Sequence, residues 1–215
     1  ATDFPSLNVG SGGSLQLQGS GRFSSFTQTG GVLSGNGNLE VLRNFYRSGG
    51  SITPTLSNVT ITQAVGDLVT GDIAVTGDLS LTASTGSLSV NTSLTAGNQV
   101  LGRGATGVSL SLGATITAGA TGDAITLSSG GNFTNNEGST ALNAPNGRWL
   151  VYSSNPAYDN RGSLAYDFKH YDQTYTSSTA YAGPGMGNGF LYSTSPAITP
   201  FLVGAITRTY DGTTD

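Results

Sequence analysis

The sequence predicts an all-β chain wound as a parallel β-helix, three short strands to each coil of about 20 residues. Three observations carry that expectation. Only 9% of the 215 residues are charged and 33 are Gly, with Thr, Ser, Val, Leu and Asn prominent among the rest. Such a composition is poor in helix formers and rich in strand and turn residues. FTQTGGVL at residues 26–33 aligns with FYRSGGSI at residues 45–52, 19 positions later. Finally, pairs of apolar residues at alternate positions return along the first two thirds of the chain with Gly, Asp or Asn between them.

The elements follow in order. In the 26–33 and 45–52 segments an aromatic residue leads into polar and Gly positions and then an apolar strand start. The pairs Val59/Ile61, Ile73/Val75, Leu79/Leu81, Leu88/Val90, Val108/Leu110 and Ile125/Leu127 alternate with polar residues, the mark of short strands with one buried face. Every third segment is one row: Ile61, Leu81 and Leu101 in one, Val90 and Leu110 in another, about 20 residues apart. At a strand spacing of about 4.8 Å, residues 5–145 would stack roughly seven coils into a rod of about 30–35 Å. No coil buries its own core, so stability is shared with neighbours.

Gly66-Asp67, Gly71-Asp72, Gly77-Asp78 and Gly122-Asp123 fall at strand starts. Gly there supplies positive φ for a corner, and Asp accepts from nearby backbone N–H groups. A calcium site would need a denser GGxGxD spacing. Gly102, Gly104 and Gly107 fit GxGxxG, but the strand pattern VSLSLG follows where a dinucleotide site needs a helix. Asn58, Asn91 and Asn132 open N-x-S/T triplets, which arise easily in this composition.

After Asn146 the composition changes. The lone Trp, Trp149, stands here with eight of the nine Tyr, and so do Lys169 and His170, the chain's one Lys and one His. LVYSSNP at 150–156 matches FLYSTSP at 190–196, an offset of 40, as two strands of one sheet. Between them SLAYDFKHYDQTY, residues 163–175, reads as a further strand, with Leu164, Tyr166, Phe168 and His170 on one face and Ala165, Asp167, Lys169 and Tyr171 on the other. AGPGMGNG, residues 182–189, reads as a loop. The organisation expected is a β-helix at 1–146, an aromatic-rich β module that caps or binds at 147–205, and the truncated start of a following repeat domain at 206–215. Residues 1–20 lack a charged start and apolar centre, so the chain reads as a piece of something longer.

A net charge of −4 with eight scattered basic residues argues against nucleic acid. No apolar run reaches the length of a membrane span, so no membrane insertion is expected. Without Cys there are no disulfides or thiolate ligands, and one His leaves only isolated carboxylates; neither a metal nor a cofactor is expected. Glycoside chemistry needs paired carboxylates. Only Asp159, Asp167 and Asp172, near Arg161, Lys169 and His170, come close in sequence, and no G-x-S-x-G accompanies the single His. A non-enzymatic role is therefore expected. The candidate glycan-binding residues are Tyr152, Tyr158, Asp167, Lys169, Tyr171, Asp172, Tyr175 and Tyr181, because phenol rings offer flat apolar faces with a polar tip. The competing expectation is that these rings cap the open end of the coils. Trp149 belongs to the core.

The coils, followed by GNFTN (131–135), GRWLVYS (147–153), DFKHY (167–171) and GNGFLYS (187–193), resemble the large exoproteins of the filamentous haemagglutinin type. ITRTYDGTT (206–214) resembles the start of the YDGTT-bearing repeats of some such adhesins. The resemblance implies a right-handed parallel β-helix on the bacterial cell surface, exported by two-partner secretion through an outer-membrane transporter. It implies adhesion, aggregation or biofilm formation, by holding a glycan, an exopolysaccharide or another cell surface. The family's N-terminal secretion motif is not evident, APNG at 144–147 being a partial echo, so an internal or distal segment is expected. The alternatives are a polysaccharide-active enzyme on the same scaffold and a ligand-free structural spacer.

Overall fold

A computed structural model describes residues 4–53, 55–176, 181, 183, 186–196, 201, 203, 204 and 212. Two short strands, β1 (Ser6–Val9) and β2 (Ser14–Leu17), precede two long ones, β3 (Gly21–Gly35) and β4 (Leu39–Ile52), each of which bends round a whole coil. Thereafter every coil breaks into three strands. The first such set is β5 (Val59–Gln63), β6 (Leu68–Val69) and β7 (Ile73–Val75), and the next is β8 (Leu79–Ala83), β9 (Ser87–Val90) and β10 (Leu94–Ala96). They are followed by β11 (Val100–Gly104), β12 (Gly107–Leu110) and β13 (Ile116–Ala118), then by β14 (Gly122–Ser129), β15 (Asn132–Asn135) and β16 (Leu142–Asn143). The last turn holds β17 (Gly147–Ser153), β18 (Phe168–His170) and β19 (Gly189–Tyr192). All pairings among these strands are parallel, and the chain is a β-solenoid of about eight turns.

Three faces result. The first runs β4-β5-β8-β11-β14-β17-β19-β18, the second β6-β9-β12-β15 and the third β4-β7-β10-β13-β16. Inward side chains stack in columns because successive coils pair residue for residue. Leu39, Val59, Leu79, Val100, Ile125 and Trp149 form one column, all buried. Leu68, Leu88, Val108 and Phe133 form another, and Ile52, Ile73, Leu94, Ile116 and Leu142 a third. Burial of each large aliphatic residue contributes roughly 1.5–3 kcal/mol. Phe26 pairs with Phe45 as the 19-residue repeat requires, their rings stacked with centroids 5.3 Å apart.

Several expectations are corrected. Leu81 pairs with Gly102, not Leu101. The coil from Leu79 to Val100 takes 21 residues, and one extra residue turns Leu101 to the outward face, since a strand alternates sides at every position. Gly102 fills the inward place, where a Cβ would lie 2.9 Å from Leu88 Cδ2 and Leu127 Cδ2. Coils then lengthen: Ile125 follows Val100 by 25 residues and Trp149 follows Ile125 by 24. The added residues lie at two corners: between the second and third faces, where Val108 to Ile116 and Phe133 to Leu142 are longer than Leu88 to Leu94 and the Gly113 N–H donates to Glu137 Oε2 at 2.5 Å, and ahead of Ile125, where Ile116 to Ile125 is longer than Leu94 to Val100.

Of the four Gly-Asp pairs, only Gly66 and Gly122 have positive φ. Gly77 is required instead by a close approach: a Cβ there would meet Asn58 Oδ1 at 2.4 Å. The Asp side chains do not bond locally but reach the next coil. Asp67 accepts from the N–H and hydroxyl of Ser87, Asp72 from the N–H of Ser93, and Asp78 from Asn98 Nδ2 and the N–H of Gln99. Asn38 and Asn58 do the same, Asn38 Oδ1 accepting from both nitrogens of Asn58 and Asn58 Oδ1 from the N–H of Asp78. Asn58 thus spends its amide on a ladder along one corner, which opposes its use as a glycan acceptor; Asn91 and Asn132 are exposed.

The strand expected across residues 163–175 is three residues long. Ser163 and Asp172 have φ of 61° and 57°, which breaks the extended run on either side. β17 and β19 pair directly, but Val151 meets Phe190 and Tyr152 meets Leu191, an offset of 39 rather than 40. The two Tyr of the sequence repeat therefore point oppositely: Tyr192 into the core, Tyr152 outward. β18 precedes β19 in the chain yet lies beyond it, so β19 occupies a slot between β17 and β18. The start of a repeat domain expected at 206–215 lies outside the described residues, apart from Gly212.

Candidate functional site

Outward side chains of the first face also stack. Thr62, Thr82, Arg103, Ser128, Tyr152 and Leu191 are successive register partners. At the last turn this outward surface is covered. Leu150, Tyr152 and Leu191 are buried there beneath Phe168, Tyr175 and Tyr181. Both faces of β17 and β19 are thus occupied: Trp149, Val151, Phe190 and Tyr192 within the coils, and the second cluster outside them.

Where the cover stops, a groove begins. Two adjoining hollows of about 180 and 120 Å³ run beside the outward column. Thr82, Ala83, Ser84, Arg103, Gly104 and Ala105 line the first, and Tyr152, Ser153, Gln173, Thr174, Tyr175 and Ser193 the second, with Ser128 and Gly130 common to both. Gly130 keeps the floor low, for a Cβ on it would lie 2.0 Å from the carbonyl oxygen of Ala105. Among the described residues no carboxylate lines either hollow. Arg103 is exposed, and its guanidinium lies over the Tyr175 ring at 5.4 Å.

Tyr175 reaches the groove through a defined turn. The positive φ of Asp172 swings the chain out of β18, Ser195 Oγ donates to Asp172 Oδ2 at 2.9 Å, and the Gln173 N–H donates to the Tyr192 carbonyl at 2.9 Å. Tyr175 then meets Tyr152 edge to face, centroids 5.3 Å apart. Burial, helped by the nearby Asp123 charge, pushes the Tyr152 hydroxyl up to about 12.

The eight sequence-predicted residues are only partly brought together. Tyr152 and Tyr175 line the groove. Tyr181 stacks on Phe168 at 5.7 Å, bonds His170 Nδ1 through its hydroxyl, and receives Arg148 Nη2 on its carbonyl. Asp172 positions Tyr175. Tyr171 stacks on Tyr192 at the open end of the coils. Lys169 pairs with Phe190 in register and sits 4.9 Å above the Tyr166 ring. Asp167 accepts the Asn188 N–H at 2.7 Å. Tyr158 is 70% exposed on a turn of its own.

The suspected acids have separate tasks. Asp159 accepts from the Phe133 N–H at 2.8 Å and from Ser153 Oγ at 2.6 Å, and burial raises its pKa. Asp172 holds the turn that leads to Tyr175, and Asp167 receives the Asn188 N–H. Arg103, Ser128, Gln173 and Ser193 were not foreseen. Arg103 had a signal, being the lone charged side chain in its Gly, Leu and Val strand. The others depend on which corner each coil turns.

Comparison with known protein families, characterised proteins and solved structures finds no match.

Proposed function

We propose that the chain is a non-catalytic segment of a secreted bacterial surface adhesin, a β-solenoid stalk that contacts glycan or exopolysaccharide through the groove beside Arg103 and Tyr175. The parent protein would stand outside the cell after export through an outer-membrane two-partner-secretion transporter. The single observation that carries the binding part is a polar groove crossing successive coils, walled by hydroxyl and amide groups with an arginine–tyrosine pair. Hydrolysis or elimination would need an acid and a base on the reacting bond, and among the described residues the groove lining offers neither a carboxylate nor His. Attachment, aggregation or biofilm formation would follow from many such segments each holding polymer weakly.

A ligand-free spacer is favoured by one observation, the burial of Trp149, Tyr152, Phe190 and Tyr192 in the end of the coils. A glycan array probed with the chain and with Tyr175→Ala separates the two. The binding reading expects retention of at least one polysaccharide, reduced about tenfold in the variant while circular dichroism shows the β-structure kept. A variant that melts lower, from a parent that retains no polysaccharide, would instead assign Tyr175 to packing.

A further inference from the structure

Resting on the polysaccharide reading, we infer that the groove takes a linear acidic polysaccharide, with a uronate carboxylate seated on Arg103. Among the described residues the Arg103 side chain makes no ion pair and no hydrogen bond; its one ring partner is Tyr175. A π-face contact takes up none of the guanidinium N–H donors in a hydrogen bond, so the fork that matches a carboxylate bidentately has no acceptor among the described residues. The neighbouring acids do not compete. Asp123 is 2.5 Å from Arg148 Nε, and Asp159 is enclosed by the Phe133 N–H and Ser153.

The rest of the lining favours a polysaccharide over other polyanions or a peptide. From β8 to β19 the groove passes four rung intervals, about 19 Å, with Thr82, Ser128, Gln173 and Ser193 presenting polar groups along it. A polymer whose hydroxyls recur at the scale of one rung meets a partner at each step. β8, β11, β14 and β17 are each paired on both sides, so no free strand edge exists here to receive a peptide. A single arginine in a chain of net charge −4 does not make a phosphate-tracking patch.

The test is calorimetric titration of the full chain with oligomers of polygalacturonate, alginate and hyaluronan, each also in carboxyl-reduced form. At least one acidic oligomer is expected to bind tenfold or more tightly than its reduced counterpart, less so at higher salt. Arg103→Ala should abolish that preference and the salt dependence, and Arg103→Lys should recover only part. Circular dichroism checks that the fold is kept. Equal binding of acidic and reduced forms, or an acidic preference indifferent to Arg103→Ala, would overturn the inference while leaving polysaccharide binding in place. Failure of all six probes, together with an empty glycan array, would remove both.

Discussion

Asp159 illustrates how single polar residues hold coils together. Its carboxylate joins the backbone of β15 to the hydroxyl of Ser153 on β17, and burial raises its pKa above the ordinary carboxylate value. The folded state therefore prefers the protonated acid. That contribution is fully present below the unfolded pKa and is lost as pH rises through the folded one. At pH 7 Asp159→Asn, neutral and able to serve the same two partners, should melt at or above the parent temperature. Asp159→Ala orphans the Phe133 N–H and should cost about 1–3 kcal/mol. Equal losses in both variants would contradict this account.

Tyr152 and Tyr192 give the alkaline counterpart. Burial pushes both hydroxyls up to about 12, so their contribution is intact below the ordinary value near 10 and is lost as pH climbs toward 12. Following ellipticity and tyrosinate absorbance together should reveal loss of β-structure and ionisation of the buried Tyr in one step above pH 10. Ionisation of all nine Tyr before any structural change would be inconsistent with that burial. In the core, Phe45→Ala removes a ring stacked on Phe26 and should cost about 3–5 kcal/mol.

For the strands, register is the decisive quantity. The absence of Cys makes it directly testable, since any disulfide in a double variant is the one introduced. Ser80 and Leu101 are Cα partners on β8 and β11, whereas Leu81 faces Gly102. Ser80→Cys with Leu101→Cys should cross-link on oxidation, and Leu81→Cys with Leu101→Cys should not, because their side chains lie on opposite faces. The reverse result would restore a uniform 20-residue coil. The corner ladder works across the same spacing: Asn38, Asn58 and Asp78 each accept from a group one coil on, and Asn98 ends it by donating to Asp78.

For the molecule as a whole, stability is shared between neighbouring turns, so an uncovered end is costly. In the last turn Phe190 and Tyr192 join the interior beside Phe133 and Trp149, and Phe168 and Tyr181 pack on the outside of the sheet, the contacts a covering role would use. β18, lying beyond β19, occupies the place that a regular next strand of the first face would take. A chain cut after Asn146 should associate end to end at micromolar concentration, visible in light scattering, while one cut after Pro196 stays monodisperse. Identical behaviour of the two would deny the last turn a covering role.

How much of this was legible in the sequence follows from its range. Alternation at period two and its return after 19 or 20 residues are local properties, and they were enough to place Phe26 on Phe45, Ile61 on Leu81 and Val90 on Leu110, while the apolar run that Trp149 opens was enough to place it in the core. Where one coil gained a residue, as before Val100, the row drifted by a position and Leu101 left the interior. The same single-residue drift separated Tyr152 from Tyr192, and with them the aromatic residues beside the groove from those inside the coils. Composition marked residues 147–205 as different but not which side of the sheet each ring would take.

What the sequence determined unaided is the parallel β-solenoid, because the burial of alternate apolar residues depends on neighbours two and about 20 positions away. Tertiary structure alone decided that β19 slides between β17 and β18, and that Arg103 meets Tyr175 across 72 residues of chain. Those placements depend on varying coil length and on which coil face a returning segment can cover, and no periodic pattern along the chain encodes either.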